Sequence, residues 1–145
     1  MTICVARKDQ SEVLAAVHAQ AFDRSWAASE IKALLEAPGV FALLAAKDEP
    51  VGMVMCRTVA DEAEILTLAV APQARRQGVG RGLVLAARDL AQQAGAGALL
   101  LEVGTANTAA VGLYDRLGFV QAAAARPTTT VVRPAAKTRS SCVST

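Results

Sequence analysis

Apolar positions recur at helical and strand intervals along the chain, and they predict an ordered series of elements. A capping box at Asp9 and Glu12 predicts a first helix that runs to about Phe22, and a second is expected over Ser29–Glu36. Further along, the pattern predicts strands at Val40–Ala46, Val51–Val59, Glu64–Val70, Ala98–Val103 and Phe119–Ala124, and helices at Val79–Gln93 and Asn107–Leu117. This order predicts an α/β (α+β) fold with one mixed central sheet flanked by helices.

Length, composition and charge narrow the classes of protein. The 145 residues are 53% hydrophobic, which suffices for the core of a single domain. A net charge of +2 is too small for a chain whose main partner is nucleic acid. The apolar runs are far shorter than the roughly 20 residues that span a membrane, and the N-terminus lacks a secretory pattern. We therefore expect a cytoplasmic protein with neither nucleic acid nor a membrane as partner.

The few cysteine and histidine residues argue against a metal site. Cys4, Cys56 and Cys142 have no metal-ligand spacing, and the lone His18 cannot complete a zinc set. Cys56 is a conceivable nucleophile, but it lies in an apolar strand without a histidine partner. A buried, unreactive thiol is the favoured interpretation, and we expect no metal.

The segment 75–82, with the sequence Arg-Arg-Gln-Gly-Val-Gly-Arg-Gly, joins a predicted buried strand to a predicted helix. The first amides of a helix have no intrahelical acceptor and lie at the positive end of its dipole, so they bind anions. Glycine at 78 and 80 keeps side chains away from those amides and permits a tight entry into the helix. Together with three arginines, this pattern predicts a phosphate-binding loop.

Three other interpretations of this loop compete with one another. No Walker A pattern is present, so a nucleotide triphosphatase of that type is excluded. Glu102 follows the glycines by about 20 residues, as in dinucleotide-binding folds, but residues 71–77 separate the strand from the glycines and Leu83 occupies the third glycine position. A structural loop that carries surface arginines also remains open.

A family resemblance distinguishes among these interpretations. The motif Arg75-x-x-Gly78-x-Gly80 resembles the acetyl-coenzyme A (acetyl-CoA) motif of the GCN5-related N-acetyltransferases (GNAT family). The second half of the family signature has similar residues in this chain at Leu100–Val103, Asn107, Ala110, Leu113–Tyr114 and Gly118–Phe119. Residues 61–70, with Phe22 and Trp26, are similar to the ribosomal-protein-alanine N-acetyltransferases of that family, the RimI type. The resemblance covers most of residues 1–121.

The resemblance implies a GNAT fold and direct transfer of an acetyl group from acetyl-CoA to an amine within a ternary complex. The acceptor it implies is a protein or peptide N-terminus, such as that of a ribosomal protein. It also implies that the strand over residues 66–70 separates from its neighbour. The cofactor-binding residues it implies are Leu68, Ala69, Val70, Arg75, Arg76, Gln77, Gly78, Val79, Gly80, Arg81 and Asn107.

The same resemblance assigns two catalytic roles. Glu102 would be the base that takes the proton of the amine through a water molecule, and Tyr114 the general acid toward the leaving thiolate. The alternative for Glu102 is a solvated carboxylate at the end of a strand, and the alternative for Tyr114 is a packing residue. Trp26 is expected either at the peptide entrance or in the core. Two other functions stay open: acetylation of lysine or of a small-molecule amine, and a non-catalytic acetyl-CoA-binding module.

The C-terminal part departs from the family pattern. Residues 1–126 are assigned to the GNAT domain and 127–145 to an atypical segment rich in Thr, Ser, Ala and basic residues. This segment is either divergent or read out of frame. A shifted frame could restore Glu-Asp-Ala at 137–139 and Leu-Val-Leu at 140–142, as in the expected last strand. Residues Gly104–Ala106 also replace an Arg and a Ser that are common in the family beside the proposed base.

Overall fold

A computed structural model describes the backbone of residues 1–104, 108–121 and 129–134, and the side chains of residues 1–101 and 112–119. Within these ranges the chain forms seven strands and four α-helices. The strands are β1 (Thr2–Val5), β2 (Val40–Ala46), β3 (Pro50–Val59), β4 (Glu62–Val70), β5 (Ala98–Gly104), β6 (Phe119–Gln121) and β7 (Thr129–Pro134). The helices are α1 (Ser11–Ala21), α2 (Ala28–Leu35), α3 (Val79–Gln93) and α4 (Thr108–Arg116).

The strands of the described ranges form one mixed sheet in the order β1-β2-β3-β4-β5-β7-β6. The three pairs β1–β2, β2–β3 and β3–β4 are antiparallel, whereas β4 and β5 are parallel. Strand β7 pairs antiparallel with both β5 and β6. A parallel pair needs a long crossover connection, and α3 supplies it between β4 and β5. The predicted fold class, a mixed central sheet flanked by helices, is confirmed.

Each face of the sheet has its own apolar core. On one face, α3 packs against the sheet through buried side chains of Leu83, Val84, Ala87 and Ala91. On the other face, α1 and α2 bury Leu14, Val17, Ile31 and Leu35 against β2 and β3. The three layers explain why β3 is a nearly continuous apolar run, because its middle residues are buried on both sides.

Most predicted elements are present, with some corrections. The hairpin of β2 and β3 and the bounds of α3 agree with the sequence pattern, whereas β1 and β7 were not predicted. The predicted capping box was wrong. A 3-10 turn precedes α1, Asp9 contacts the Arg7 side chain at 3.1 Å, and the Arg7 amide donates to Oε1 of Gln10 at 2.8 Å. Residues 135–145, on which the reading-frame hypothesis depends, lie outside the described residues.

An extra residue interrupts the pairing of β4 with β3. Met55 lies opposite Thr67 and Cys56 lies opposite Ile65, so Leu66 is the inserted residue of a β-bulge. Before the bulge, Ile65 packs in the core on the α3 face, and after it Leu68 does. The bulge therefore reverses which alternate positions of β4 face α3.

Strands β4 and β5 pair over only part of their length. Their parallel register runs from the Glu62–Ala98 pair to the Glu64–Leu100 pair. Residues 101–104 of β5 pair only with β7, which lies on the other edge of β5. Beyond Glu64, β4 continues through the bulge to Val70 without a described partner on that side. The two strands therefore part where the resemblance implies that they do.

The start of α3 lies directly against β3. A Cβ built on Gly52 would be 2.7 Å from Cγ1 of Val79 and 3.0 Å from Cδ1 of Leu83. No side chain fits at those distances, so glycine lets the helix and the strand approach closely. This contact fixes the height of the first turn of α3 above the sheet.

We expect Gly52→Ala to lower the free energy of unfolding by about 1–3 kcal/mol, because the new methyl overpacks the contact with Val79. The double variant Gly52→Ala/Val79→Ala should lose less than the sum of the two single changes, since the smaller side chain makes room. Urea denaturation of the four proteins measures this coupling. Strictly additive losses would contradict the close packing.

Candidate functional site

The loop between β4 and α3 turns sharply through two left-handed residues. It leaves β4 at Ala71, whose amide donates to the Val51 carbonyl at 2.8 Å, and passes through a 3-10 turn at Pro72–Ala74. Arg76 has φ +64° and Gly78, the N-cap of α3, has φ +83°. The expectation that glycine permits this tight entry is confirmed at Gly78, where a left-handed backbone favours glycine.

The first amides of α3 have no acceptor among the residues that the structure describes. The amide of Gly82 donates to the Gly78 carbonyl at 2.9 Å, whereas those of Val79, Gly80 and Arg81 donate to no residue that the structure describes. No side chain caps the helix at Gly78. Since the positive end of the helix dipole lies here, these amides form a site for an anion.

Basic side chains surround this anion site. Arg75, Arg76 and Arg81 are exposed, and none forms an ion pair within the described part of the chain. Lys47, from the turn between β2 and β3, reaches the loop and donates from Nζ to Oε1 of Gln77. No local pattern identifies Lys47, because its contact joins segments 30 residues apart. Its charge adds to the positive potential beside the free amides.

Two side chains of the loop have structural partners. Nε of Arg75 donates to the Val70 carbonyl at 3.2 Å, which ties the loop to the end of β4. Nε2 of Gln77 donates to the Gln73 carbonyl at 3.1 Å. Both side chains therefore hold the shape of the loop.

Three elements meet beside the start of α3. A Cβ built on Gly80 would be 3.6 Å from Cδ2 of Leu113 on α4 and 3.8 Å from Cγ2 of Val70 on β4. These are ordinary van der Waals distances, so Gly80 is not required by crowding within the protein. Of the predicted residues of β4, Ala69 is buried while Leu68 and Val70 are half-buried. The end of β4, the start of α3 and α4 thus meet at one junction.

Tyr114 lies on α4 next to this junction. Its ring is buried and contacts the Phe119 ring edge-on, with the centroids 5.6 Å apart. Its hydroxyl forms no hydrogen bond with any described residue, although buried tyrosine hydroxyls usually have a partner. Burial, with a smaller effect from the charge of a Cys56 thiolate, raises the pKa of Tyr114 to about 12. The phenol therefore keeps its proton at neutral pH.

Cys56 lies near Tyr114 on β3. Its side chain is fully buried, and burial raises the pKa of its thiol to about 12. A thiol with that pKa is protonated at neutral pH and is a poor nucleophile. The structure therefore agrees with the interpretation of Cys56 as an unreactive packing residue.

The side chains of two predicted site residues, Glu102 and Asn107, lie outside the described residues. The backbone of Glu102 lies in β5, beyond the last residue that pairs with β4. The backbone of Asn107 lies outside the described residues as well. The described geometry thus brings together the loop, the end of β4 and Leu113, the residue before Tyr114 on α4, with the Glu102 backbone on the neighbouring strand β5.

Comparisons with known sequences agree with this geometry. The sequence profile of the acetyltransferase (GNAT) family matches residues 7–119. The ribosomal protein bS18-alanine N-acetyltransferase of Escherichia coli (strain K12) is 42% identical over 76 residues, which cover 50% of this chain and 51% of the relative. A mycothiol acetyltransferase of Renibacterium salmoninarum is 41% identical over 58 residues, or 40% of this chain and 17% of the relative. The chain spans about half the length of the ribosomal-protein acetyltransferases it matches.

Solved structures have the same fold. The ribosomal-protein-S18-alanine N-acetyltransferase from Escherichia coli superposes with a TM-score of 0.82 over 99% of both chains, at 22% identity. The yncA acetyltransferase from Salmonella typhimurium, solved with its cofactor acetyl-CoA, superposes with a TM-score of 0.77 over 100% of this chain and 99% of that one, at 20% identity. In the part of the chain that the structure describes, no helix is long and apolar enough to cross a membrane.

We expect Gly78→Ala to weaken acetyl-CoA binding about tenfold or more, because a methyl there distorts the turn that presents the free amides. The matched control is Gly95→Ala at the other end of α3. Gly95 has φ +100°, and a Cβ at either glycine meets no atom within 4 Å. Both variants should lose similar stability, about 1–2 kcal/mol. Calorimetric titration with acetyl-CoA that finds equal affinities would contradict the anion site.

Proposed function

Because the chain belongs to the GNAT family of acetyltransferases, we propose that it transfers the acetyl group of acetyl-CoA to the α-amino group of a protein N-terminus. The proposed acceptor is an N-terminal alanine of a ribosomal protein, as in the name of the bacterial relatives that match half of this chain. The acceptor attacks the thioester directly, and no covalent intermediate forms on the enzyme.

One juxtaposition carries this proposal. The free amides at the start of α3 and the unpaired stretch of β4 lie at one junction with α4, the helix that carries Tyr114, and we take this junction as the acetyl-CoA cleft. The amides and the basic side chains around them suit the diphosphate of acetyl-CoA, which supplies an activated acetyl group. A buried hydroxyl without a partner suits a group that arrives with the substrate.

The attacking amine must lose a proton. A protein α-amino group has a pKa of about 8, so much of it is protonated at neutral pH and cannot attack. We assign Glu102 as the base that collects this proton through a water molecule. The position of its backbone in β5, just past the point where β4 and β5 part, supports this role.

Tyr114 acts on the leaving group. A phenol with a pKa of about 12 is a weak acid beside a thiol of ordinary pKa near 8.5, so complete proton transfer to the thiolate is unfavourable. The hydroxyl instead donates a hydrogen bond to the sulfur as negative charge develops there. That interaction is stronger in the transition state than in the ground state, which is the condition for catalysis.

Acetylation of a small-molecule amine is the second candidate function. The local match with a mycothiol acetyltransferase favours it, because 58 residues of the chain align with an enzyme named for a small molecule. The two functions differ only in the acceptor, and both use the same cleft.

A direct assay tests the proposed function. The purified chain is incubated with acetyl-CoA and one of three acceptors: a peptide that begins with alanine, the same peptide with its N-terminus blocked and an internal lysine, or spermidine. Transfer to the first peptide alone supports N-terminal acetylation. Transfer only to the blocked peptide or to spermidine would replace it with the corresponding alternative, and acetyl-CoA binding without transfer would indicate a binding module.

Glu102→Gln should slow acetyl transfer about 100-fold or more at pH 6.5, the range of general-base effects. The deficit should shrink toward pH 9, because a growing fraction of the amine is already deprotonated there. The matched control is Glu64→Gln, which removes an exposed carboxylate from the paired part of β4. Acetyl-CoA affinity should be unchanged in both. A rate deficit that is constant with pH would remove Glu102 from the role of base.

Tyr114→Phe should lower kcat about 10- to 100-fold, the worth of one hydrogen bond to a charged sulfur. It should leave the free energy of unfolding unchanged or slightly raised, because the buried hydroxyl that it removes has no partner in the described protein. Steady-state kinetics and urea denaturation measure the two effects. An unchanged kcat would identify Tyr114 as a packing residue only.

A further inference from the structure

The buried imidazole of His18 connects α1, the segment before α2 and strand β4. Nε2 of His18 lies 3.0 Å from Oγ1 of Thr67 on β4, and the amide of Trp26 donates to Nδ1 at 3.2 Å. The ring also stacks between Phe22, with the centroids 4.6 Å apart, and Trp26, with the centroids 5.1 Å apart. With 2% of its surface exposed, His18 is buried and held at both nitrogens.

The contacts of the ring determine its protonation. A backbone amide can only donate, so Nδ1 must be the unprotonated acceptor. The neutral ring therefore carries its proton on Nε2 and donates it to the hydroxyl oxygen of Thr67. Burial lowers the pKa of His18, which agrees with a neutral ring.

This arrangement leaves the proton of the Thr67 hydroxyl available. The oxygen accepts from His18, and the hydroxyl donates to no residue within the described ranges. Thr67 directly follows the bulge at Leu66, in the stretch of β4 that has parted from β5. A donor of fixed orientation therefore lies beside the place where the proposed reaction occurs.

The two faces of the sheet suit the two substrates. The anion site lies at the start of α3, which covers one face, while Thr67 contacts α1 on the opposite face. An amine that attacks the thioester directly must approach from a side that coenzyme A does not occupy. The α1 face carries the exposed side chain of Phe22 and the half-buried side chain of Trp26, and we take it as the side from which the acceptor approaches.

We propose that Thr67 donates a hydrogen bond to a carbonyl oxygen of the acceptor peptide, and that His18 is the positioning residue that orients this hydroxyl and anchors the segment of Phe22 and Trp26 at the acceptor entrance. The proposal rests on the proposed function, because it assumes that a peptide amine is the acceptor. It adds two residues that recognise the acceptor and leave acetyl-CoA binding to the other face.

Isosteric variants separate the contacts. Thr67→Val removes the hydroxyl but keeps the shape, and Thr67→Ser is the matched control that keeps the hydroxyl. His18→Asn retains an oxygen near the position of Nδ1 for the Trp26 amide, while His18→Gln places an amide nitrogen near the position of Nε2 for Thr67. Comparison of these four variants separates the effect of losing the His18–Thr67 hydrogen bond from the effect of losing the hydrogen bond between His18 and the Trp26 amide.

Steady-state kinetics with the alanine peptide and calorimetry with acetyl-CoA provide the readouts. We expect Thr67→Val and His18→Asn to raise KM for the peptide about 5- to 20-fold, with kcat and acetyl-CoA affinity within about twofold of wild type. Thr67→Ser should stay near the wild-type KM. His18→Asn combined with Thr67→Val should be no worse than either single variant, because one contact is removed in both.

Three results would overturn the proposal, and they distinguish its failure from that of the proposed function. If the wild-type chain transfers acetyl groups to the peptide but Thr67→Val has an unchanged peptide KM, Thr67 does not contact the acceptor and only this inference fails. The same holds if Thr67→Val weakens acetyl-CoA binding instead. If the wild-type chain acetylates no peptide, the proposed function fails, and this inference fails with it.

Discussion

The incomplete pairing of β4 is the constraint on which the rest of the site depends. Backbone amides and carbonyls inside a protein need hydrogen-bond partners, and a strand in the middle of a sheet normally finds them on both sides. On its β5 side, β4 has them only from Glu62 to Glu64. Past that point the bulge at Leu66 turns the strand, and the Arg75 side chain satisfies the Val70 carbonyl. The edge between them is open to a ligand that supplies polar groups of its own.

The fold holds this open edge apart by packing on both faces. Behind it, β3 pairs with β4 along nearly its whole length, and α3 is pressed against Gly52 on one face. On the other face, α1 contacts the same strand through the contact of His18 with Thr67. The edge is therefore supported on both faces, and no described residue pairs with it beyond Glu64, which suits a site that must position two substrates before they react.

The parts of this structure that could be predicted from sequence depend on neighbours along the chain. The bounds of α3 and the left-handed glycines at Gly78 and Gly118 follow from local periodicity and turn chemistry. The bulge, the contact of Lys47 with Gln77 and the partners of His18 depend on segments that meet only in the fold, and nothing local encodes them. The run of β-branched Thr and Val residues in β7 is a signal for a strand. It is hard to recognise because the flanking sequence is basic and rich in Ser and Thr.

The three buried titratable groups among the described residues, two on the α3 face of the sheet and one on the α1 face, are all shifted toward their neutral forms. Burial raises the pKa values of Cys56 and Tyr114 to about 12 and lowers that of His18. A protonated thiol and a protonated phenol are poor nucleophiles, and the His18 ring is occupied at both nitrogens. None of these three side chains is therefore prepared to take an acetyl group from the thioester. Their pKa shifts are in keeping with the proposed direct transfer, in which the substrate amine becomes nucleophilic when it loses a proton.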